Sequence, residues 1–304
     1  MRGRTLDRLF PAPGLGGIVP ALIAVVLWSL APVLANLAQQ MPPLQLTAQC
    51  VLVAAVATWP IGRLSAARHP HPVSVPLAVW AGAPLLVIGA LGFYFLALRI
   101  APPAEAALVT YTWPVLFVLA AELAHARRVR LPSITGAALA FAGAGFVLMP
   151  TGSGGSDVPW IGYACAFASG TCWAAFSLLA RQQPVPLTAI MPKIFGLAAA
   201  VAGIGHWLLE TTMWPLPNEL AAAILFIGAG PYGLAFLAWD TALRRGRSAT
   251  VGTLAYAVPV LSALLLIAAG MARVDWRLVV AAMAVVAGCA LASRPRPESA
   301  TVAA

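Results

Sequence analysis

The sequence predicts an all-α integral membrane protein with ten transmembrane helices, arranged as two inverted repeats of five helices each. The first observation is composition: of 304 residues, 61% are hydrophobic and only 9% are charged. A typical soluble domain is about a quarter charged, so a soluble fold would leave most of this surface without polar cover. The second observation is a series of long apolar runs, and the third is a set of residues that recurs at one constant spacing.

The apolar runs define the spans, because a helix that crosses the bilayer needs roughly 20 apolar residues. They are long and uniformly apolar, unlike the short alternating strands of a closed β-barrel. In chain order the ten predicted spans are Leu15–Leu37, Leu44–Gly62, Pro76–Leu98, Pro103–Leu123, Leu131–Pro150, Pro159–Ala180, Leu187–Leu208, Asn218–Ala242, Ser248–Gly270 and Trp276–Ser293.

The basic residues predict the orientation of these spans, because cytoplasmic loops carry an excess of lysine and arginine. With the N-terminus inside, the inner segments hold 14 arginines and the outer segments hold three, with Lys193 set aside. The stretch TGSGGSD at Thr151–Asp157 has the composition of a linker. The predicted division is a cytoplasmic N-terminal segment at 1–14, a first repeat at 15–150, a linker at 151–158, a second repeat at 159–293 and a cytoplasmic tail at 294–304.

An offset of 145 residues relates the two halves without gaps. The residues paired at this offset include Trp28 with Trp173, Tyr94 with Trp239, Tyr111 with Tyr256 and Pro114 with Pro259. Each repeat has an odd number of spans, so the two copies must lie in the membrane with opposite orientation. Secondary transporters use such inverted repeats and bind substrate near the bilayer midplane, where the repeats meet.

The fourth span of each repeat has a proline near its centre. A proline in a helix interior removes one hydrogen bond and frees the carbonyl four residues earlier. Pro114 would free Thr110, and Pro259 would free Ala255. We interpret these two prolines as hinges because they recur at the repeat interface, although proline is also ordinary in membrane helices. Pro84, Pro192 and Pro231 are interpreted as ordinary prolines of that kind.

Four aromatic residues lie near the middle of spans rather than at the headgroup level: Trp28, Trp173, Tyr111 and Tyr256. A tyrosine hydroxyl or an indole N–H at this depth needs a partner, which a cavity or a neighbouring helix can supply. Pro32 would free the carbonyl of Trp28 as one acceptor. Aromatic walls suit an aromatic or large apolar ligand.

Charged residues inside the spans are few. Lys193 is the deepest, and snorkelling to the cytoplasmic face explains it. Asp240 lies four residues before Arg244, a spacing typical of an interfacial ion pair. No carboxylate lies clearly at the midplane, which favours facilitated diffusion over a dedicated proton relay.

Other kinds of site are not predicted. The net charge of +9 comes from arginines scattered between apolar runs, which form no patch for nucleic acid. Metal-ligand spacing is absent, because the four cysteines lie singly: Cys50, Cys165, Cys172 and Cys289. The sequence therefore predicts no catalytic residues, no metal and no cofactor.

Three motifs carry a family resemblance: VVLWSLAP around Trp28, VTYTWPVL around Pro114 and YAVPVLSALLL around Pro259. With the two five-span halves, they resemble the drug/metabolite transporter superfamily, EamA type, and within it the YddG-type aromatic amino acid exporters of bacterial inner membranes. Glu122 also fits the family pattern, whereas Ile267 occupies the equivalent position in the second half. The resemblance implies a central cavity and export of Phe, Tyr and Trp.

The sequence and the resemblance together predict a secondary transporter that exports aromatic amino acids and related metabolites by alternating access. Its expected partners are the substrate and the lipid bilayer, with a monomeric or homodimeric state. Pro114 and Pro259 are the predicted hinges. The predicted substrate-binding residues are Trp28, Tyr94, Thr110, Tyr111, Thr112, Trp113, Trp173, Ser177, Trp239 and Tyr256. Alternatives are a transporter of other amino acids, of amphipathic drugs or of nucleotide sugars, and, more distantly, an intramembrane enzyme.

Overall fold

The computed structural model describes residues 15–67, 75–126, 128–147, 159–183, 187–245, 254–255, 257–273 and 275–292, and every regular element among them is helical. The helices of the first half are α1 (Leu15–Leu37), α2 (Pro43–Ala67), α3 (Leu77–Ile100), α4 (Pro103–Thr110), α5 (Trp113–Ala126) and α6 (Leu131–Val147). Those of the second half are α7 (Trp160–Arg181), α8 (Met191–Leu209), α9 (Asn218–Ala229), α10 (Ala235–Arg245), α11 (Ala257–Ala268) and α12 (Trp276–Ala292). A 3₁₀ turn, Leu187–Ala189, precedes α8, and a π-helical turn, Gly230–Leu234, joins α9 to α10.

The all-helical membrane architecture is confirmed. Within the described residues, seven helices or helix pairs are long and apolar enough to cross a membrane. Three shorter apolar helices, at Leu131–Ala144, Ala257–Ala268 and Trp276–Leu291, occupy the positions of the predicted fifth, ninth and tenth spans. The predicted N-terminal segment, linker and C-terminal tail lie outside the described residues.

The packing between helices repeats in the way that the sequence offset requires. α6 packs on α12 and α2 packs on α8, so each of these helices meets its own repeat equivalent. The contact of α3 with α7 recurs as the contact of α10 with α1, and the contact of α4 and α5 with α7 recurs as that of α11 with α1. The two halves therefore pack through equivalent surfaces, as expected of a two-fold relation.

Glycines bring α6 and α12 close together at equivalent positions. A Cβ on Gly143 would lie 2.5 Å from the Ala284 Cβ, and a Cβ on Gly288 would lie 2.4 Å from the Gly136 carbonyl oxygen. Any larger residue would push the backbones apart, since small residues allow membrane helices to approach.

The predicted fourth span is a pair of helices rather than one kinked helix. α4 ends at Thr110 and α5 begins at Trp113, with Tyr111 and Thr112 in the turn between them. Pro114 is therefore the second residue of α5. At that position its missing N–H is one that no intrahelical acceptor would have satisfied, so proline is well tolerated. The break places the Tyr111 side chain at the end of one helix, where it can point to neighbouring helices.

The predicted eighth span is also interrupted, here by the π turn between α9 and α10. Pro231 lies second in that turn, and Gly233 follows two residues later. A Cβ on Gly233 would lie 2.8 Å from the Gly228 carbonyl oxygen, so the turn in this conformation requires a glycine there. π turns inside helices are rare and are frequent at functional sites.

Candidate functional site

An aromatic cluster lies where α1, α7, α8 and α10 meet, with the Phe236 ring at its centre. The Trp173 ring stacks on Phe236 with centroids 4.8 Å apart and planes at 29°. Trp28, Phe176 and Phe195 each present an edge-to-face contact to the same ring, at 6.1, 5.9 and 5.8 Å. The repeat-related tryptophans Trp28 and Trp173, which the sequence pairs at the 145-residue offset, thus converge on one phenyl ring.

Trp28 also holds the π turn. Its indole N–H donates to the Pro231 carbonyl at 3.0 Å, and its ring packs against Trp239 at 5.2 Å. The Trp28 carbonyl accepts a hydrogen bond of 3.5 Å from the Tyr111 hydroxyl. This carbonyl is available because Pro32, four residues later in α1, has no N–H to donate to it. The freed acceptor predicted from the sequence is therefore in contact with a predicted site residue.

A chain of hydroxyls connects three segments beside this cluster. The Tyr111 and Ser262 hydroxyls lie 3.0 Å apart, and Ser262 also donates to the Ser29 carbonyl at 3.3 Å. The Ser29 hydroxyl donates to the Val25 carbonyl at 2.7 Å. These hydrogen bonds connect α1, the α4–α5 break and α11.

A small pocket opens next to the Tyr111–Ser262 pair. These two residues supply its only polar side chains, and the rest of its lining is alanine, leucine and proline. The apolar lining residues are Ala104, Ala107, Leu108, Pro259, Ala263, Leu266, Leu278 and Ala282. Pro259, a predicted hinge, is buried in the first turn of α11 at this pocket.

Three predicted polar site residues donate to backbone carbonyls in this conformation. The Thr110 hydroxyl reaches the Ala166 carbonyl of α7 at 3.2 Å. The hydroxyls of Thr112 and Ser177 bond to carbonyls of their own segments, at 2.7 and 2.8 Å. Contact of these three hydroxyls with a substrate remains a prediction.

Tyr94 differs from these residues. It is only 5% exposed, and its hydroxyl has no hydrogen-bond partner among the described residues. Its ring packs against Phe95 at 6.2 Å, and Phe95 in turn meets the Tyr232 ring edge-on at 6.0 Å. Leaving a buried hydroxyl unpaired costs about 1–3 kcal/mol, which makes Tyr94 a candidate to bond a ligand. Trp113 is half-buried at the first position of α5, and Tyr256 lies outside the described residues.

The charged residues Asp240 and Glu122 bond to neighbouring segments of the chain. Asp240, one residue after Trp239, accepts a hydrogen bond from the Thr188 hydroxyl of the 3₁₀ turn. Glu122 accepts bonds from the Arg130 backbone N–H and the Ser133 hydroxyl, at 3.0 and 2.9 Å, and forms an ion pair with the Arg130 side chain. Among the described residues, no group of three or more His, Cys, Asp or Glu side chains could hold a metal ion.

Glu210 caps α2 from a distant part of the chain. Its carboxylate accepts the backbone N–H groups of Leu44 and Gln45 at 2.9 and 3.0 Å, and it lies 2.9 Å from the His206 Nδ1. Helix N-termini favour such an anionic acceptor.

Several residues of the site were not predicted from the sequence. Phe236, Phe176 and Phe195 sit in apolar runs, and the repeat equivalent of Phe236 is Leu91, so the offset gave no signal for it. Ser262 lies in the quoted motif YAVPVLSALLL, where its spacing of three residues from Pro259 was a usable signal. Pro231 was interpreted as an ordinary proline, whereas its carbonyl binds Trp28.

Comparison with known proteins identifies a family and two matching halves. The profile of the EamA-like transporter family matches residues 15–149 and 160–294, two stretches that begin 145 residues apart. The chain is 35% identical over 281 residues to the aromatic amino acid exporter YddG of Ancylobacter novellus, covering 89% of this chain and 94% of that protein. It is also similar to a solved crystal structure with 33% identity and a TM-score of 0.69, covering 91% of this chain and 96% of the other.

Proposed function

Because the chain belongs to the EamA-like transporter family, we propose that it exports the aromatic amino acids Phe, Tyr and Trp, with related metabolites, across the bacterial inner membrane. The cargo is inferred from the similarity to an aromatic amino acid exporter and from the aromatic surroundings of the site. The observation that carries the proposal is the convergence of Trp28 and Trp173, one from each repeat, on a single buried phenyl ring. A site that encloses one aromatic ring in this way suits an aromatic substrate.

The proposed topology has ten spans, with the repeats at 15–150 and 159–293 and both termini in the cytoplasm. The distribution of arginine supports this orientation, since 14 of 17 arginines fall on the proposed inner side. The recurrence of equivalent helix contacts in the two halves supports the two-fold relation. Exchange of the conformations of two similar halves would convert an inward-open state into an outward-open one. The protein would act as a monomer or homodimer.

Within this scheme the aromatic side chains Trp28, Trp173 and Trp239 form the wall for the substrate ring. Tyr94, with its unpaired hydroxyl, and Tyr111 would bind the ammonium or carboxylate group. Thr110, Thr112, Trp113, Ser177 and Tyr256 would complete the cavity. Pro114 and Pro259 would act as hinges at the starts of α5 and α11, where the chain already departs from one continuous helix in the first repeat.

Transport in proteoliposomes tests the proposal. We expect saturable uptake of labelled Phe, Tyr and Trp, and little uptake of Leu or Thr, with and without a pH gradient. Uptake of aromatic amino acids should fall at least about tenfold in each of three variants: Trp28→Ala, Trp173→Ala and Tyr111→Ala. Each substitution removes a side chain that contacts the substrate in the proposed site. A matched control is Trp207→Ala, since Trp207 is exposed near the end of α8. Normal transport by all three site variants would rule out this cavity.

The second candidate is export of other amino acids or of amphipathic drugs. The apolar pocket beside Tyr111 and Ser262 favours it, because only two of its lining side chains are polar. Uptake of Leu equal to that of Phe, or competition by an amphipathic cation without any amino acid flux, would favour this candidate.

A further inference from the structure

Among the described residues, Phe236 is the one side chain whose ring packs against both repeat-related tryptophans. It also comes from a segment in which the repeats differ, because its equivalent in the first repeat is Leu91. The ring is 6% exposed. The first repeat has no aromatic residue at the equivalent position. The role of Phe236 must therefore be specific to the second half.

The surroundings of Phe236 are those of an aryl-binding site that is already full. Trp173 lies against one face of the ring, with planes at 29°, and three other rings meet it at 77° to 87°. Offset stacking and edge-to-face contacts at 4.5–7 Å are the geometries that stabilise aromatic pairs. A benzyl group of a substrate placed here would find the same contacts that Phe236 now makes.

The backbone next to Phe236 offers a route for the ring to leave. Phe236 is the second residue of α10, the helix that follows directly on the π turn, Gly230–Leu234. A π turn contains one more residue than an α-helical turn, and shifting that extra residue toward the C-terminus turns the side chains that it passes by about 100° around the helix axis. A shift of the extra residue past Phe236 would therefore carry its ring away from Trp173.

Trp28 connects the two events. Its indole N–H holds the Pro231 carbonyl of the π turn, while its ring edge contacts Phe236. A displacement of the Phe236 ring would therefore move the Trp28 side chain, which is hydrogen-bonded to the π turn. Because Trp28 lies in α1 and the turn lies between α9 and α10, this contact also connects the two repeats.

We propose that Phe236 is a built-in occupant of the aryl subsite: its ring fills the place of the substrate's aromatic ring in the empty transporter and is displaced when substrate binds. The ligand class rests on the proposed function, whereas the subsite itself rests on the ring geometry. The arrangement explains selectivity, because an aromatic ring restores the contacts with Trp173 that Phe236 gives up and an aliphatic side chain does not. Displacement of Phe236 would then accompany a shift of the π turn into α10.

Binding to purified protein in nanodiscs tests the proposal. Labelled L-Phe and L-Leu are the amino acid probes, and benzyl alcohol is a ring probe, with empty nanodiscs correcting for partition into lipid. Phe236→Ala should bind L-Phe and benzyl alcohol at least about tenfold more tightly than the parent protein, because no ring has to be displaced. L-Leu should gain less than about threefold, since it forms no aromatic pair.

Two further variants serve as a milder substitution at the same position and as a control at another buried ring. Phe236→Leu places the first-repeat residue at this position and should shift affinity for L-Phe in the same direction by a smaller factor, and it decides the matter if Phe236→Ala does not fold. Phe95→Ala removes a ring that is 3% exposed and packs edge-on to Tyr232 rather than to either tryptophan, so it should give no gain.

The outcomes separate the two proposals. Failure of the parent protein to transport any aromatic amino acid, together with tighter benzyl alcohol binding by Phe236→Ala, would overturn the proposed cargo and support the built-in occupant. Unchanged affinity in both Phe236 variants, an equal gain for L-Leu, or an equal gain in Phe95→Ala would overturn the built-in occupant, because the effect would then be absent or a property of any cavity.

Discussion

The third helix of the first repeat and its counterpart in the second differ more than their shared offset implies. α3 runs without interruption from Leu77 to Ile100, and Pro84 lies inside it. Its counterpart consists of α9, the π turn and α10. Since α3 passes through a proline as a regular helix, proline alone does not decide where such a helix breaks.

The difference lies in what surrounds the proline. In the second repeat, Pro231 is flanked by Gly230 and Gly233, and Trp28 supplies a donor for its carbonyl from outside the helix. Irregular backbone at membrane depth needs such partners, because lipid supplies none. The two halves therefore share a packing plan but not a set of local structures. Of the two third helices, the one in the second half contains the irregular backbone.

The largest expected effect is a loss of stability where α9 packs closely against α2. A Cβ on Gly228 would lie 2.5 Å from the Cys50 carbonyl oxygen and 2.6 Å from the Val53 Cβ. Gly228→Ala should therefore destabilise the protein by about 3 kcal/mol, the upper range for overpacking, because a backbone oxygen cannot give way as a side chain can. Thermal unfolding in nanodiscs, followed by size-exclusion chromatography, measures the effect.

Gly203→Ala in α8 is the matched control, since a Cβ there would meet nothing within 4 Å. It should be neutral or slightly stabilising, because alanine is a better helix former than glycine. The equivalent of Gly228 in α3 is Ala83, which is fully buried and already has a Cβ. Equal stability of Gly228→Ala and the parent protein would mean that α9 does not approach α2 as closely as described.

A smaller effect, on transport rather than on folding, is expected at the π turn. Gly233→Ala places a Cβ 2.8 Å from the Gly228 carbonyl oxygen and should disfavour the turn. We expect substrate uptake to fall about tenfold with less than threefold change in substrate affinity, because the turn is required for movement rather than for contact. The equivalent residue in α3 is Ile88, and Ile88→Ala should leave the rate within about twofold of the parent.

The two substitutions together sharpen the comparison between the third helices. Equal loss of rate from Gly233→Ala and Ile88→Ala would show that α3 and the α9–α10 segment contribute alike, and the asymmetry would then have no consequence for transport. Parallel loss of affinity and rate in Gly233→Ala would instead place the turn in the binding site.

Much of the architecture could be predicted from the sequence because it depends on composition and on the repeat. Apolar runs predicted the helices, and the 145-residue offset paired Trp28 with Trp173, two residues that contact the same phenyl ring in the structure. Helix ends were harder. The predicted second span stopped at Gly62, five residues before the helix ends at Ala67. Apolar length alone does not determine where a helix stops once it continues beyond the hydrocarbon region.

The features that were missed depend on contacts between distant parts of the chain. Pro84, Pro192 and Pro231 look alike in sequence, yet they lie in a helix interior, in a first turn and in a π turn. Glu210 caps α2 across 165 residues, and Phe236 is enclosed by residues from α1, α7 and α8. The sequence around each of these residues does not indicate its role, because the role is determined by contacts with other helices.

The smallest expected effect separates the two repeat-related tryptophans. Trp28 has both a ring contact to Phe236 and a hydrogen bond from its indole N–H to Pro231, whereas Trp173 contacts Phe236 by stacking. Trp28→Phe keeps an aromatic ring and removes the donor, so it leaves the Pro231 carbonyl short of a partner. Loss of this hydrogen bond should destabilise the π turn by about 1 kcal/mol. If transport depends on the turn, the uptake rate should fall roughly fivefold. Trp173→Phe keeps the stacking and should stay within about twofold. Uptake kinetics of the two variants side by side measure the difference, and equal losses would show that the ring contacts rather than the hydrogen bond distinguish the repeats.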